Sequence, residues 1–260
     1  MKENILICEP QVEGIFSAVY TAYEKKLNPN ITHLQLEEAP NYRLFTEYIE
    51  VETDREKADK VNRSLKKKFG SFAMENLWYA ASSIHPGRGD AVYHTIARGL
   101  AGAFKGELMS YLQDPYVNLT AKLRNQVWHE VHHFMGFLRF AELKSGILYS
   151  EIHPKNHVLA FLGEHFADRF PEENFLIRDK GRNLYLVHQA RKDYYLVKGQ
   201  EEERETGTAV PWLQYSREEE EIQGLFRCFV ESIAIKERNN LKLQQQMLPL
   251  RFRGDMVEYS

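Results

Sequence analysis

An α+β fold, with an antiparallel sheet built from a hairpin and a meander and packed against several helices, is predicted by three features of this sequence. The segment Asn118–Gly136 carries apolar residues on one arc at about 100° per residue, the mark of a helix central to a core. Between Phe137 and Val197, short alternating runs are separated by Gly-containing turns. The 260 residues are 43% hydrophobic and 27% charged with a net charge of −3, an ordinary globular composition that excludes disordered, collagenous and coiled-coil chains.

Taken in order, Asn4–Cys8 reads as a buried strand, followed by a helix through Ile15, Phe16, Val19, Tyr20 and Tyr23. Loops around Asn28-Pro29-Asn30 and Ala39-Pro40-Asn41 lead to a second strand, Leu44–Val51. Thr53 and Glu56 form a capping box, opening a helix to Phe69 that carries Arg55, Lys57, Lys60, Arg63, Lys66, Lys67 and Lys68. Gly70 stops it, and further helices are expected over Ser71–Ser83 and Asp90–Phe104.

After the central helix, Phe137–Leu143 and Ile147–Ile152 read as a hairpin around Lys144-Ser145-Gly146. Pro154 should start a helix running through Leu159, Leu162 and Phe166 to Pro171. Strands Asn174–Arg178, Leu184–Val187 and Tyr194–Val197 make the meander, and Arg217–Gln245 a last helix. The expected organisation is a main domain over 1–198, an acidic connection over 199–214, and a C-terminal helix with a basic-apolar tail over 215–260.

Composition also narrows function. No apolar run approaches the roughly 20 residues that span a bilayer, and the N-terminus has no signal-peptide pattern, so a cytoplasmic protein without membrane partners is expected. Two cysteines are too few for a zinc ribbon or an iron–sulfur cluster, and Cys8 and Cys228 both read as packing residues. Gly-rich phosphate loops, dinucleotide fingerprints, serine-nucleophile elbows and deaminase signatures are absent. An acidic chain can contact nucleic acid only through local basic patches, such as Lys66–Lys68, Arg178–Arg182 with Arg191-Lys192, and the tail Leu248–Arg253.

His129-Glu130-Val131-His132-His133 is literally H-E-x-x-H on a helix, the spacing that sets two imidazoles one turn apart on zinc with a glutamate as base. On that reading His129, His133 and Glu164 would be ligands, with Asp168 one turn further on. The helical phase favours another: both histidines fall beside Lys122 and Asn125 on a polar side. Glu130 falls on the apolar arc, where a carboxylate needs a cation such as Arg139 or Arg169. His165 and Arg169 share a helix face and could bind phosphate or serve only in ion pairs.

Several separated segments carry a resemblance: Glu13-Gly14 after the first strand, Glu130-x-His132 running into Gly136-Phe137-x-Arg139-Phe140, His153-Pro154-x-x-His157, His165-Phe166-x-x-Arg169-Phe170, and Leu248-Pro249-x-Arg251-Phe252-Arg253. In order and spacing the chain resembles the bacterial family of uncharacterised DNA-metabolism and DNA-repair proteins. Their gene accompanies a radical-SAM enzyme of DNA repair or modification, and in some relatives the domain is fused to a uracil-DNA glycosylase-like domain. That pattern does not rely on His129 or His133, which implies that H-E-x-x-H is an accident within Glu130-x-His132.

The resemblance implies an accessory protein that binds DNA, or a DNA-derived substrate, beside a radical-SAM partner and without a cofactor of its own. Arg139, Arg169, Arg251, Arg253, Lys66, Lys67 and Lys68 would meet phosphates; Glu130, His132 and His165 are the candidates for proton transfer or hydrogen bonding. A zinc hydrolase on the H-E-x-x-H, and a non-catalytic assembly module docking its partner through the tail, are the alternatives.

Overall fold

The computed structural model describes residues 2–37, 44–103, 106–199, 213–233, 240–254, 256 and 259. It is α+β, with sheets packed against helices. Two compact units are present, Met1–His129 with Lys155–His157, and Glu130–Pro154 with Val158–Ser260. Of the expected acidic connection over 199–214, residues 200–212 lie outside the described ones.

The first unit is built on a parallel three-stranded sheet in the order β2-β1-β3, from β1 (Glu3–Cys8), β2 (Thr32–Leu36) and β3 (Thr46–Val51). The uninterrupted apolar run Ile5–Cys8 suits β1, a central strand covered on both faces. Helix α1 (Val12–Glu24) carries the chain from β1 to its parallel neighbour β2, a crossover that parallel strands require. Strand β2 is not among the expected elements. Its residues alternate buried and half-buried, but five residues between two proline-containing loops are a weak signal.

Helix α2 (Arg55–Ala81) is broken at Gly70, whose φ of +84° suits glycine, so the expected stop is present as a kink. Asp54 caps it, its Oδ1 accepting from the amides of Glu56 and Lys57 at 2.9 and 3.2 Å. The expected capping residue Thr53 instead bonds the Glu9 carboxylate. Helix α3 (Arg88–Leu100) follows, beginning at fully buried Arg88, whose guanidinium donates to the carbonyls of Pro10 and His85 at 2.7 and 3.2 Å. Leu6, Ile15, Phe16, Leu77, Ile96 and Leu123 lie at the centre of this unit's core. Cys8 is buried among them, its thiol pushed up to about 12 by burial and then by Glu37, so packing is its role, as expected.

Helix α4 (Pro115–Phe137) carries the boundary between the units. Asp114 accepts from the amides of Tyr116 and Val117, which fixes its start. In the second unit, five strands take the order β4-β5-β6-β7-β8: Ala141–Glu142, Leu148–Ile152, Phe175–Asp179, Leu184–His188 and Tyr195–Lys198. The hairpin and the meander are both there, although β4 is only two residues long. They join through a parallel β5–β6 pair, because α5 (Leu159–Arg169) lies between those strands in sequence. A half-buried polar cluster links β5 to the meander. Burial would raise the Glu151 carboxyl, but Lys180 at 2.9 Å, Tyr149 and Arg178 outweigh it and hold it below its ordinary value.

Pro154 does not start α5. Residues 155–157 belong to the first unit, where the His157 amide donates to the Ser82 carbonyl and Asn156 accepts from the Ile84 amide, which holds them out of a helix. Helix α6 (Arg217–Ile233) is shorter than expected, residues 234–239 lie outside the described ones, and α7 (Leu241–Met247) and α8 (Leu250–Arg253) follow. Cys228 is exposed rather than packed, and Ile222, Leu225 and Phe229 on the same helix are exposed too.

Gly163 in α5 sits under the Tyr194 ring, whose hydroxyl donates to the Ala160 carbonyl. A Cβ there would lie 2.6 Å from ring atom Cδ2, so Gly163→Ala is expected to destabilise by about 1–3 kcal/mol, read as a lowered urea midpoint with unchanged slope. An unchanged midpoint would show that the ring is not held there.

Candidate functional site

The cationic run of α2 sorts by helical phase. Arg55, Lys60, Arg63, Lys66 and Lys67 are exposed and fall within an arc of about 140°, along about 18 Å of helix. Glu56 and Asp59 share that arc near its N-terminal end, where the helix dipole favours carboxylates, so the net positive charge concentrates toward Lys66 and Lys67. Lys68 points elsewhere, its Nζ donating to the Leu100 carbonyl at 3.0 Å and lying 5.8 Å from the Phe69 ring centre. It therefore leaves the expected trio. Lys57 is also drawn off the stripe, to Glu24 at 3.6 Å and the Tyr20 ring.

In the second unit Glu130 is buried, at 2% exposure, as its helical phase required. Its Oε1 lies 3.0 Å from Nη1 of Arg251, an arginine that the sequence does not single out as its partner. Phe252, the next residue, explains the choice. It is buried with its ring against Phe134 at 4.9 Å, His133 at 5.1 Å and Phe137 at 5.7 Å, which brings α8 onto the end of α4 and Arg251 onto the carboxylate. The Arg251 guanidinium also lies 4.5 Å from the Phe252 ring centre. Arg139 donates to the carbonyls of Gly136 and Leu138 at the end of its own helix, and Arg169 lies exposed at the end of α5 near Phe170.

Of the remaining expected residues, Glu164, Asp168, Arg191 and Lys192 line one cavity of about 590 Å³ together with His188. His132 is exposed, His165 is half-buried with its ring edge-on to Phe166, and Arg253 donates to the Leu248 carbonyl and lies over Tyr259. The cavity lined by Phe134, Arg139, Glu151 and Phe252 measures about 10 Å³, room for about one water rather than a ligand. Of the H-E-x-x-H, His129 is exposed, Glu130 is held by Arg251, and His133 is half-buried and stacked on Phe137 at 5.6 Å; Glu164 and Asp168 are exposed.

Among the described residues, one set of three metal-ligating side chains has its ligand atoms within 4.8 Å of one another, and it is not this set: it is His33, Asp90 and His94. All three lie in the first unit, His33 on β2, Asp90 and His94 one turn apart on α3. His33 Nδ1 lies 3.1 Å from Asp90 Oδ1, His94 Nε2 3.3 Å from the same oxygen, and the two ring nitrogens 3.4 Å from each other. The Leu34 amide also donates to Oδ1, at 3.2 Å. Burial would raise the Asp90 carboxyl, but hydrogen bonds and charge from His94 and then His33 outweigh it and hold it below its ordinary value. The i, i+4 spacing of Asp90 and His94 is legible in the sequence; His33, 57 residues earlier on a strand with so weak a signal, is not.

The chain belongs to the DUF4130 family, a domain of unknown function whose model matches residues 86–258. The match includes Asp90 and His94, the Glu130–Arg251 pair and the terminal segment, and leaves out His33. No curated protein matches. A solved structure described as the DHH domain of a member of a family of ribosomal proteins is similar at 11% identity, over 73% of this chain and 74% of that one, with a TM-score of 0.31. Among the described residues, no helix is long and apolar enough to cross a membrane.

Removing the Arg251 cation takes a charge partner from the buried Glu130 carboxylate. Arg251→Met is expected to cost about 2 kcal/mol, below the range for a fully buried pair because Arg251 is partly exposed. Glu130→Gln in the same chain should recover about half of that loss. Additive losses in urea unfolding of the two single variants and the double would show that the side chains are not coupled.

Proposed function

We propose that this protein is an accessory factor of DNA metabolism or repair that binds DNA, or a DNA-derived substrate, beside a radical-SAM partner enzyme. The exposed cationic stripe of α2 is the observation that carries the binding half of this reading. In a chain of net charge −3, five exposed cations along one helix face form a local field suited to phosphates. Exposed Arg139 and Arg169 in the second unit are further candidates for phosphate contact. Arg251 is better placed as a structural cation, since Glu130 occupies it. The DNA-repair context and the radical-SAM partner rest on the resemblance of the separated motifs, chiefly Glu130-x-His132 and the Leu248–Arg253 segment.

Fluorescence anisotropy of the purified chain with single- and double-stranded oligonucleotides, over a salt series, tests the binding half. Affinity should fall linearly on a log–log plot, and Lys66→Glu with Lys67→Glu should weaken binding at low salt by about tenfold or more and reduce the slope by about 2. Absence of binding at low salt, or binding indifferent to this pair, would contradict a DNA grip on α2. Co-purification with the partner enzyme tests the other half, and its absence would contradict the accessory role.

A further inference from the structure

We propose that His33, Asp90 and His94 form a binding site for a divalent first-row transition-metal ion of the zinc or iron(II) kind. It does not rest on the DNA reading, since none of the three residues belongs to the α2 stripe or the terminal segment. His33 Nδ1, His94 Nε2 and Asp90 Oδ1 form a triangle with sides of 3.1, 3.3 and 3.4 Å. In a tetrahedral site with metal–ligand bonds of about 2.0–2.1 Å, neighbouring ligand atoms lie about 3.3–3.4 Å apart. An ion about 0.8 Å off the plane of this triangle would therefore reach all three atoms at ordinary bond lengths, without moving any of them.

Hydrogen bonding alone serves the triangle poorly. A ring nitrogen carries at most one hydrogen, and the carboxylate carries none, so at most two of the three sides can be hydrogen bonds. If both nitrogens donate to Asp90, their N–H groups face each other across 3.4 Å. If one is bare, its lone pair faces the carboxylate. A cation at the centre satisfies three lone pairs at once, which is the charge balance that two neutral imidazoles and a carboxylate offer to zinc or iron(II).

The surroundings hold the ligands in place while leaving a way in. His94 is 5% exposed, stacked on Tyr116 at 4.2 Å and edge-on to Tyr93 at 5.1 Å, so its ring cannot turn freely. The Leu34 amide fixes Asp90 Oδ1, an outer hydrogen bond of the kind that orients ligating carboxylates. His33 and Asp90 keep about a third and a quarter of their side-chain surface exposed, so the ion can enter from solvent. Among the described residues no fourth His, Cys, Asp or Glu joins the set.

The test uses the full chain, stripped with chelator and titrated with cobalt(II), with zinc as competitor. One equivalent of cobalt should bind with visible d–d absorption and be displaced by zinc. X-ray absorption of the zinc-loaded chain should show two imidazoles. His33→Gln and Asp90→Asn, checked for folding by circular dichroism, should each weaken zinc binding by more than about a hundredfold, since even loss of an outer-sphere partner costs about 10–100-fold. His129→Gln should leave it unchanged. No cobalt spectrum, no imidazole scattering, or undiminished binding by a folded His33→Gln would overturn the site. Loss of binding in His129→Gln would place the ion on the H-E-x-x-H instead, and would overturn it equally.

Discussion

A carboxylate withdrawn from water must be met by positive charge or donors, or the fold loses several kcal/mol. Each unit of this chain contains a carboxylate placed under that constraint, and in each the answer comes from a distant part of the sequence. In the second unit Glu130, buried on α4, is met by Arg251, 121 positions further along. That pairing and the Phe252 ring seated among aromatics explain why the last described segment folds onto the helix instead of trailing away. In the first unit Asp90 is met by His33, His94 and the Leu34 amide, which ties the start of α3 to strand β2.

These two carboxylates also separate what local reasoning can reach from what it cannot. That Glu130 is buried and needs a cation follows from the phase of one helix, and it is so. That Arg251 answers does not follow, because it is distant in sequence and is brought to the carboxylate by where Phe252 packs. The hairpin, the meander and the kink at Gly70 are legible because alternation, turn glycine and helix periodicity are local signals. Strand β2 is not, and with it go His33 and the whole triad. Pro154, a proper helix opener by its own chemistry, is overruled by the hydrogen bonds that residues 155–157 make with 82–84.

The most conspicuous motif is the least productive one. H-E-x-x-H requires a glutamate free to act on a metal-bound water. Here Glu130 is the partner of Arg251, and His133 lies among Phe137 and Phe252. The histidine–carboxylate spacing that does bring three ligand atoms together is the plain Asp90-x-x-x-His94, completed from another element. A basic run is likewise not a patch until the helix is drawn: five of the α2 cations share a face, while Lys57 and Lys68 are turned to Glu24 and to the Leu100 carbonyl. Charge on one exposed face and aromatic packing of the terminal segment are separate properties, and they carry separate roles in the reading proposed for this chain.

Hydrogen–deuterium exchange of the full chain with and without oligonucleotide tests the DNA-binding proposal most directly, because it locates contact without presupposing any residue. Slower exchange over residues 55–68 on adding DNA, lost again at high salt, is the expected result. Protection confined to other segments, or none at a concentration where DNA is bound, would contradict it.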